Sequence, residues 1–204
     1  MARKTKAEAE QTRQRILDAA EQVFFTHGVM QTSLDQVAEA AGVTRGAIYW
    51  HFANKVELFK AMQDRVRMPQ EEFFQSREMT RSDRCLDLLQ ETTLEALRSF
   101  AADTRAQRVY TIILFRCEYV GEMGDALLKR READHQMKDT ILAVFDRACA
   151  LRQLSRPWQP STAANAYLCA VVGLFSEWLR LEGEFDLLET ATPLIDSLFA
   201  SYRG

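Results

Sequence analysis

Tyr49, Trp50, His51 and Phe52 stand in a row, with Arg45 four residues ahead of Tyr49 and Lys55 three residues beyond Phe52. A helix buries one face, and four consecutive residues cover every face. Some of these rings must therefore meet solvent. If Ile48 and Phe52, four apart, turn inward, then Tyr49, Trp50 and His51 sweep outward. The chemistry open to such a face is contact with nucleic acid. Tyr49 and His51 can hydrogen-bond phosphate oxygens, and the Trp50 ring can pack on sugars or a thymine methyl. Arg45 can pair with guanine, while Gly46 and Ala47 let the helix approach closely. Ser33, Thr44 and Lys55 stand at helix N-termini, where N–H groups and the dipole attract phosphate.

These side chains need two short helices crossing through a tight turn, and the residues around them supply both. Ser33 with Gln36 forms a capping-box pair that opens one helix, Gly42 ends it, and Thr44 caps the next, which runs to about Trp50. Val37, Ala38, Val43 and Ile48 are apolar where the pair must touch, and Gly42 suits the positive φ of a sharp turn. Upstream, Ile16, Leu17, Ala20, Val23 and Phe24 repeat at helical spacing up to Gly28, and residues 1–11 form a polar, basic arm. Downstream, Asn54 with Glu57 opens a fourth helix bearing Phe59, Met62 and Val66. At Pro69 that helix either kinks or stops and restarts. Further helical blocks are expected at 83–100, 104–119, 125–151, 161–181 and 187–202. The expected class is all-α: an N-terminal helix-turn-helix domain of three helices over 1–60, then a helical domain over 61–204.

Charge distribution matters more than its sum. The chain is −3 overall, yet residues 1–60 carry eight basic and seven acidic side chains, leaving −4 for the rest. The first third can approach a polyanion that the remainder would repel. Cys85, Cys117, Cys149 and Cys169 contain no CxxC and read as buried, reduced thiols. The charged N-terminus is followed by no apolar run, and Ala166–Phe175, the most apolar stretch, is about half a membrane span. The expectation is a soluble, cytoplasmic protein that does not engage a membrane. The three histidines, His27, His51 and His135, are far apart, with no HExxH and no Gly-rich phosphate loop. Glu71 and Glu72 read as a solvated helix face. No catalytic residue, metal site or cofactor is expected.

The stretch "TSLDQVAEAAGVTRGAIYWHFANKVELF" resembles the DNA-binding domain of the TetR family of bacterial repressors, and within it the AcrR-type regulators of multidrug efflux. "MARKTKAEAEQTRQRILDAA" and "FRCEYVGEM" add to the likeness, which is close over 1–60 and patchy beyond. The resemblance implies a recognition helix over Thr44–Trp50, with Arg45, Gly46, Ala47 and Trp50 toward bases. It places Ser33, Thr44, Tyr49, His51 and Lys55 on phosphates and gives the basic arm further DNA contacts. Its partners would be double-stranded operator DNA and a small lipophilic inducer, and its action repression of a multidrug efflux pump.

In the second domain, Thr104–Tyr119 is apolar around most of its circumference from Val109 to Cys117. Tyr110, Ile113 and Leu114, with Met137, Ile141 and Val144, and with Leu168, Val171, Val172 and Phe175, are either plain core or the walls of a permissive pocket. The resemblance favours the pocket. Glu118 and Glu177 either meet a cationic ligand or form surface salt bridges. Ala163, Ala166, Ala170 and Gly173 form a small-residue ridge, and Leu187, Ala191, Leu194, Ile195, Leu198 and Phe199 an amphipathic stripe. Paired across a two-fold axis, these last two helices would build a homodimer through a four-helix interface. Two recognition helices would then meet half-sites about 34 Å apart.

Overall fold

The computed structural model describes residues 6–66 and 79–204, and all regular structure among them is helical. In chain order the helices are α1 (Lys6–His27), α2 (Leu34–Ala40), α3 (Arg45–His51), α4 (Lys55–Gln63), α5 (Cys85–Ala102), α6 (Thr104–Phe115), α7 (Gly124–Ala150), α8 (Pro160–Arg180) and α9 (Leu187–Arg203), with a 3-10 turn at Gly121–Met123. Two compact units emerge: residues 6–66 with 108–128, and residues 79–107 with 129–204.

The first unit is built around α1. Ile16, Leu17, Ala20 and Phe24 are buried along one stripe, and Gly28 at φ +81° ends the helix. Phe24 meets Phe59 of α4, their centroids 6.4 Å apart. Helix α1 already begins at Lys6, so part of the expected polar arm is helical; Arg3, Lys4 and Pro69 lie outside the described residues.

A boundary at residue 60 leaves out one return of the chain. Residues 108–128 come back to the first unit, and specific bonds hold them there. Glu21, 3% exposed on α1, accepts from Arg108 Nη1 at 3.0 Å. The Val29 amide donates to the Arg116 carbonyl at 2.8 Å. Tyr119 sets its ring edge-on to Phe59 and donates its hydroxyl to the Ile113 carbonyl at 3.0 Å. Helix α6 ends at Phe115, short of the Tyr119 expected for this block, and just beyond its end the Arg116 carbonyl accepts from the Val29 amide.

In the second unit, α5 buries Leu86, Leu89, Thr93, Ala96, Leu97 and Phe100 at spacings of three and four, facing α9. Tyr167 of α8 is buried against Thr93, their hydroxyls 2.8 Å apart. Thr93 spends its one proton on the Leu89 carbonyl at 2.6 Å, so Tyr167 must be the donor between them. Tyr202 donates to the Ala163 carbonyl at 3.0 Å and meets the rings of Phe145, Trp158 and Phe199 edge-on. Leu187, Ala191, Ile195 and Phe199 are buried, as is Ala163. Most of the stripe expected to pair two copies is therefore used within one subunit. What α8 and α9 turn outward is Val172, 48% exposed, and Leu194, 42% exposed, with Cys169 and Gly173 also on the outside. Ala166, Ala170 and Leu198 are half-buried. The cysteines also depart from expectation: Cys85 is buried and Cys117 half-buried, but Cys149 and Cys169 are exposed.

Burial pushes both the Tyr167 and the Tyr202 hydroxyl well above the usual tyrosine range. In the unfolded chain these groups lose protons near pH ~10, while the folded chain keeps them. The unfolded state then binds fewer protons, so stability is fully present below that pH and falls as pH rises through it. Denaturant midpoints measured from pH 8 to 11 should show that decline. A Tyr167→Phe/Tyr202→Phe variant should be less stable at neutral pH and show a shallower alkaline slope.

Candidate nucleic-acid interface

Local bonds set the α2–turn–α3 geometry. Ser33 Oγ accepts from the Gln36 amide at 3.3 Å, and Gln36 Oε1 accepts from the Ser33 amide at 2.8 Å, the reciprocal pair its spacing predicts. Thr44 Oγ1 accepts from the Ala47 amide at 3.2 Å. Between them Gly42 sits at φ +62°, and the Val43 amide closes the turn onto the Ala38 carbonyl at 2.9 Å. A Cβ on Gly42 would lie 3.2 Å from Arg15 Nη2, which donates to the Ala41 carbonyl at 2.7 Å. Glycine suits the backbone angle there, and a Cβ would press on this clamp. Nothing in the spacing of Arg15 announces that role.

With the turn fixed, α3 has two faces. Ile48 and the C-cap Phe52 are buried, and Arg13 lies over the Phe52 ring at 5.4 Å. Tyr49 is 44% exposed and Trp50 72%, while His51 is half-buried with its ring edge-on to Trp50 at 4.5 Å. Thr44 and Gly46 are exposed and Ala47 is half-buried. A Cβ on Gly46 would meet nothing within 4 Å. The fold therefore has room for a side chain at 46. Gly46→Ala should raise the melting temperature, because alanine is favoured in helices by up to ~1 kcal/mol. If a groove approaches here, the same change should weaken binding to DNA. Melting curves beside DNA titrations check the two opposite signs.

Ser33, Tyr49 and Lys55 line one cleft of about 290 Å³ together with Thr32, Leu34, Ala53 and Asn54. The Ser33 hydroxyl donates to Gln36 Oε1 at 3.0 Å, so its proton is used within the cap, while the Tyr49 phenol is exposed. Lys55 is held differently from the expectation of a side chain simply presented at a helix N-terminus. Its Nζ donates to the Met30 and Thr32 carbonyls at 3.2 and 3.0 Å, tying α4 to the loop before α2. The start of α4 is also occupied from within. The Glu57 amide donates to Asn54 Oδ1 at 2.9 Å, and Glu57 Oε2 accepts from the Ala53 amide at 2.8 Å. Arg45 is engaged as well, its Nη1 lying 3.2 Å from Asp35 Oδ2 and its Cζ 5.6 Å from the centre of the Tyr49 ring. Asp35, Asn54 and Arg15 are the residues of this surface that sequence reasoning left aside. Asn54 alone gave a signal, through its cap.

The ten pocket candidates do not fall together in one unit. Tyr110 and Ile113 are buried and Leu114 half-buried in the first unit. In the second, Ile141, Val144, Val171 and Phe175 are buried, and Met137 and Leu168 are half-buried. Phe175 packs edge-on against Phe100 at 4.8 Å. Val172 points outward, one position round the helix from Val171, and so leaves the inner wall it was expected to join. Glu177 is a surface salt bridge, 2.6 Å from Arg180, whose guanidinium holds its carboxyl below the usual range. Among the described residues there is no cluster of three metal-ligating side chains, and no helix is long and apolar enough to cross a membrane.

Comparison with known proteins agrees with this geometry. Residues 16–62 match the family described as bacterial regulatory proteins, tetR family, and residues 84–203 match the C-terminal region of MAATS-type transcriptional repressors. The chain is 41% identical over 206 residues to the transcriptional repressor BepR of Brucella suis, covering 99% of this chain and 97% of that one. NalD, the secondary repressor of the MexAB-OprM multidrug efflux pump in Pseudomonas aeruginosa, superposes with a TM-score of 0.83 at 36% identity, over 95% of this chain and 97% of NalD. SmeT, the repressor of the Stenotrophomonas maltophilia multidrug efflux pump SmeDEF, superposes in its triclosan complex with a TM-score of 0.77 at 29% identity, over 95% and 92%.

Proposed function

The chain belongs to the tetR family of bacterial regulatory proteins, and from that premise we propose that it is a repressor that binds a palindromic operator as a dimer and is released by lipophilic, drug-like compounds. The gene it controls encodes a multidrug efflux pump, as for its relatives NalD and SmeT. Its role is regulatory rather than catalytic, and its place of work is the cytoplasm, with the DNA. One observation carries this reading: Trp50 is 72% exposed two residues after the fully buried Ile48, on a helix whose Gly46 opens onto empty space. Trp50 stands beside the 44% exposed Tyr49, and amphipathic rings held at a surface support an interface there.

On this reading α3 enters the major groove. Arg45, Gly46, Ala47 and Trp50 face bases, and Ser33, Thr44, Tyr49, His51 and Lys55 face the backbone. The dimer forms through the outward surfaces of α8 and α9, where Val172 and Leu194 remain uncovered. The inducer site is assigned to the apolar residues of α7 and α8 that stay inside the second unit: Met137, Ile141, Val144, Leu168, Val171 and Phe175. The ligand acts by binding more tightly to a form of the dimer that fits the operator poorly, because only differential affinity can shift the equilibrium. Footprinting on DNA upstream of its own gene tests the DNA half. Two symmetric protected half-sites about one helical turn apart, ~34 Å, are expected. Protection spread evenly along the fragment would instead indicate a DNA-coating protein held by phosphate contacts alone.

A further inference from the structure

Asp35 is an acid where an acid should hurt. It lies on the exposed side of α2, close enough to α3 for its Oδ2 to sit 3.2 Å from Arg45 Nη1, on the surface that would meet a polyanion. Both partners are largely exposed, at 73% and 48%, so the pair adds little to folding. Arg45 is held from a second side by the Tyr49 ring, 5.6 Å from Cζ. A carboxylate on one edge and a ring against the side chain together restrain a long, flexible side chain in one orientation. The guanidinium is a rigid planar fork, and with 73% of the Arg45 side chain exposed it keeps donors beyond the Nη1 beside Asp35. A bidentate contact to guanine O6 and N7 uses such donors.

We propose that Asp35 is a positioning residue for base readout: it orients Arg45 so that the helix discriminates guanine at one position of each half-site. The proposal rests on α3 being the DNA-reading helix. Once the groove excludes water, the Asp35–Arg45 attraction strengthens, while Asp35 repels the nearby phosphates. Asp35 thus lowers affinity for DNA in general and raises selectivity.

The test is enrichment of binding sites from a pool of random duplexes by the full-length wild type and by the Arg45→Ala, Asp35→Asn and Asp35→Glu proteins. Melting curves accompany each, since Asp35 also sits in the first turn of α2, where an acid favours the helix. Arg45→Ala marks the guanine by losing it. Asp35→Asn should keep the site but weaken the preference for that guanine about tenfold, the scale of one bidentate contact. It should bind scrambled DNA at least as tightly as the wild type. Asp35→Glu should recover much of the preference. Equal guanine enrichment by wild type and Asp35→Asn would overturn the role of Asp35 and leave the DNA reading standing. So would a loss of affinity by the same factor on every sequence, the mark of a purely structural residue. If the wild type enriches no sequence, the DNA reading fails and this proposal fails with it.

Discussion

Ile48→Ala should destabilise the first unit by about 2–5 kcal/mol, whereas Trp50→Ala, two residues on, should leave the melting temperature almost unchanged. Ile48 is fully buried against α2 and α1, so truncation opens a cavity that a seven-residue helix between two tight turns is poorly able to close. Trp50 has 72% of its surface in water, and its ring meets His51 edge-on. Its removal should lower operator affinity by about thirtyfold or more, the scale of an aromatic at the centre of an interface. Thermal melts and DNA titrations of both variants separate the effects. A large loss of stability in Trp50→Ala with unchanged DNA binding would reverse the assignment of the two faces of α3.

Leu194→Asp combined with Val172→Asp should split the dimer and lower operator affinity by about 10²–10⁴, while the monomer keeps its fold. The two side chains are the large apolar groups that α8 and α9 leave exposed, so a carboxylate there is solvated in a monomer and buried in a dimer. A dimer binds its second half-site intramolecularly, and that advantage, about 10²–10⁴, vanishes when the subunits part. Phe199→Ala provides the contrast. That ring is fully buried between Tyr167 and Tyr202, and its loss should cost about 3–5 kcal/mol of stability in the second unit. Sedimentation and denaturation on the two variants check the pair. A double Asp variant that remains dimeric would move the interface elsewhere.

The residues that carry local rules were legible. Ser33 with Gln36, Thr44, Gly42 and the inward pair Ile48 and Phe52 announce themselves by spacing, because caps, turns and helix faces are set within a few residues. What spacing does not carry is which distant groups meet. Asp35 finds Arg45, Lys55 finds the Met30 and Thr32 carbonyls, and Arg15 clamps the Ala41 carbonyl, all across elements. The return of 108–128 to the first unit is held in part by Glu21 meeting Arg108, 87 positions apart. Glu21 did carry a faint sign: it shares the face of Leu17, Ala20 and Phe24, where a lone carboxylate asks for a partner. On α8 and α9 periodicity found the apolar residues but could not say that Ile195 and Phe199 are used within the subunit while Leu194 is left outside.

The central claim is that this chain holds a specific DNA sequence and lets go when a lipophilic compound binds. The most direct measurement is fluorescence anisotropy of the purified protein on labelled DNA from upstream of its own gene. Scrambled DNA is the control, each with and without a panel of lipophilic dyes and antibiotics. Tight, selective binding that at least one compound reverses is the predicted result. Equal affinity for the scrambled duplex, unchanged by every compound, would contradict it.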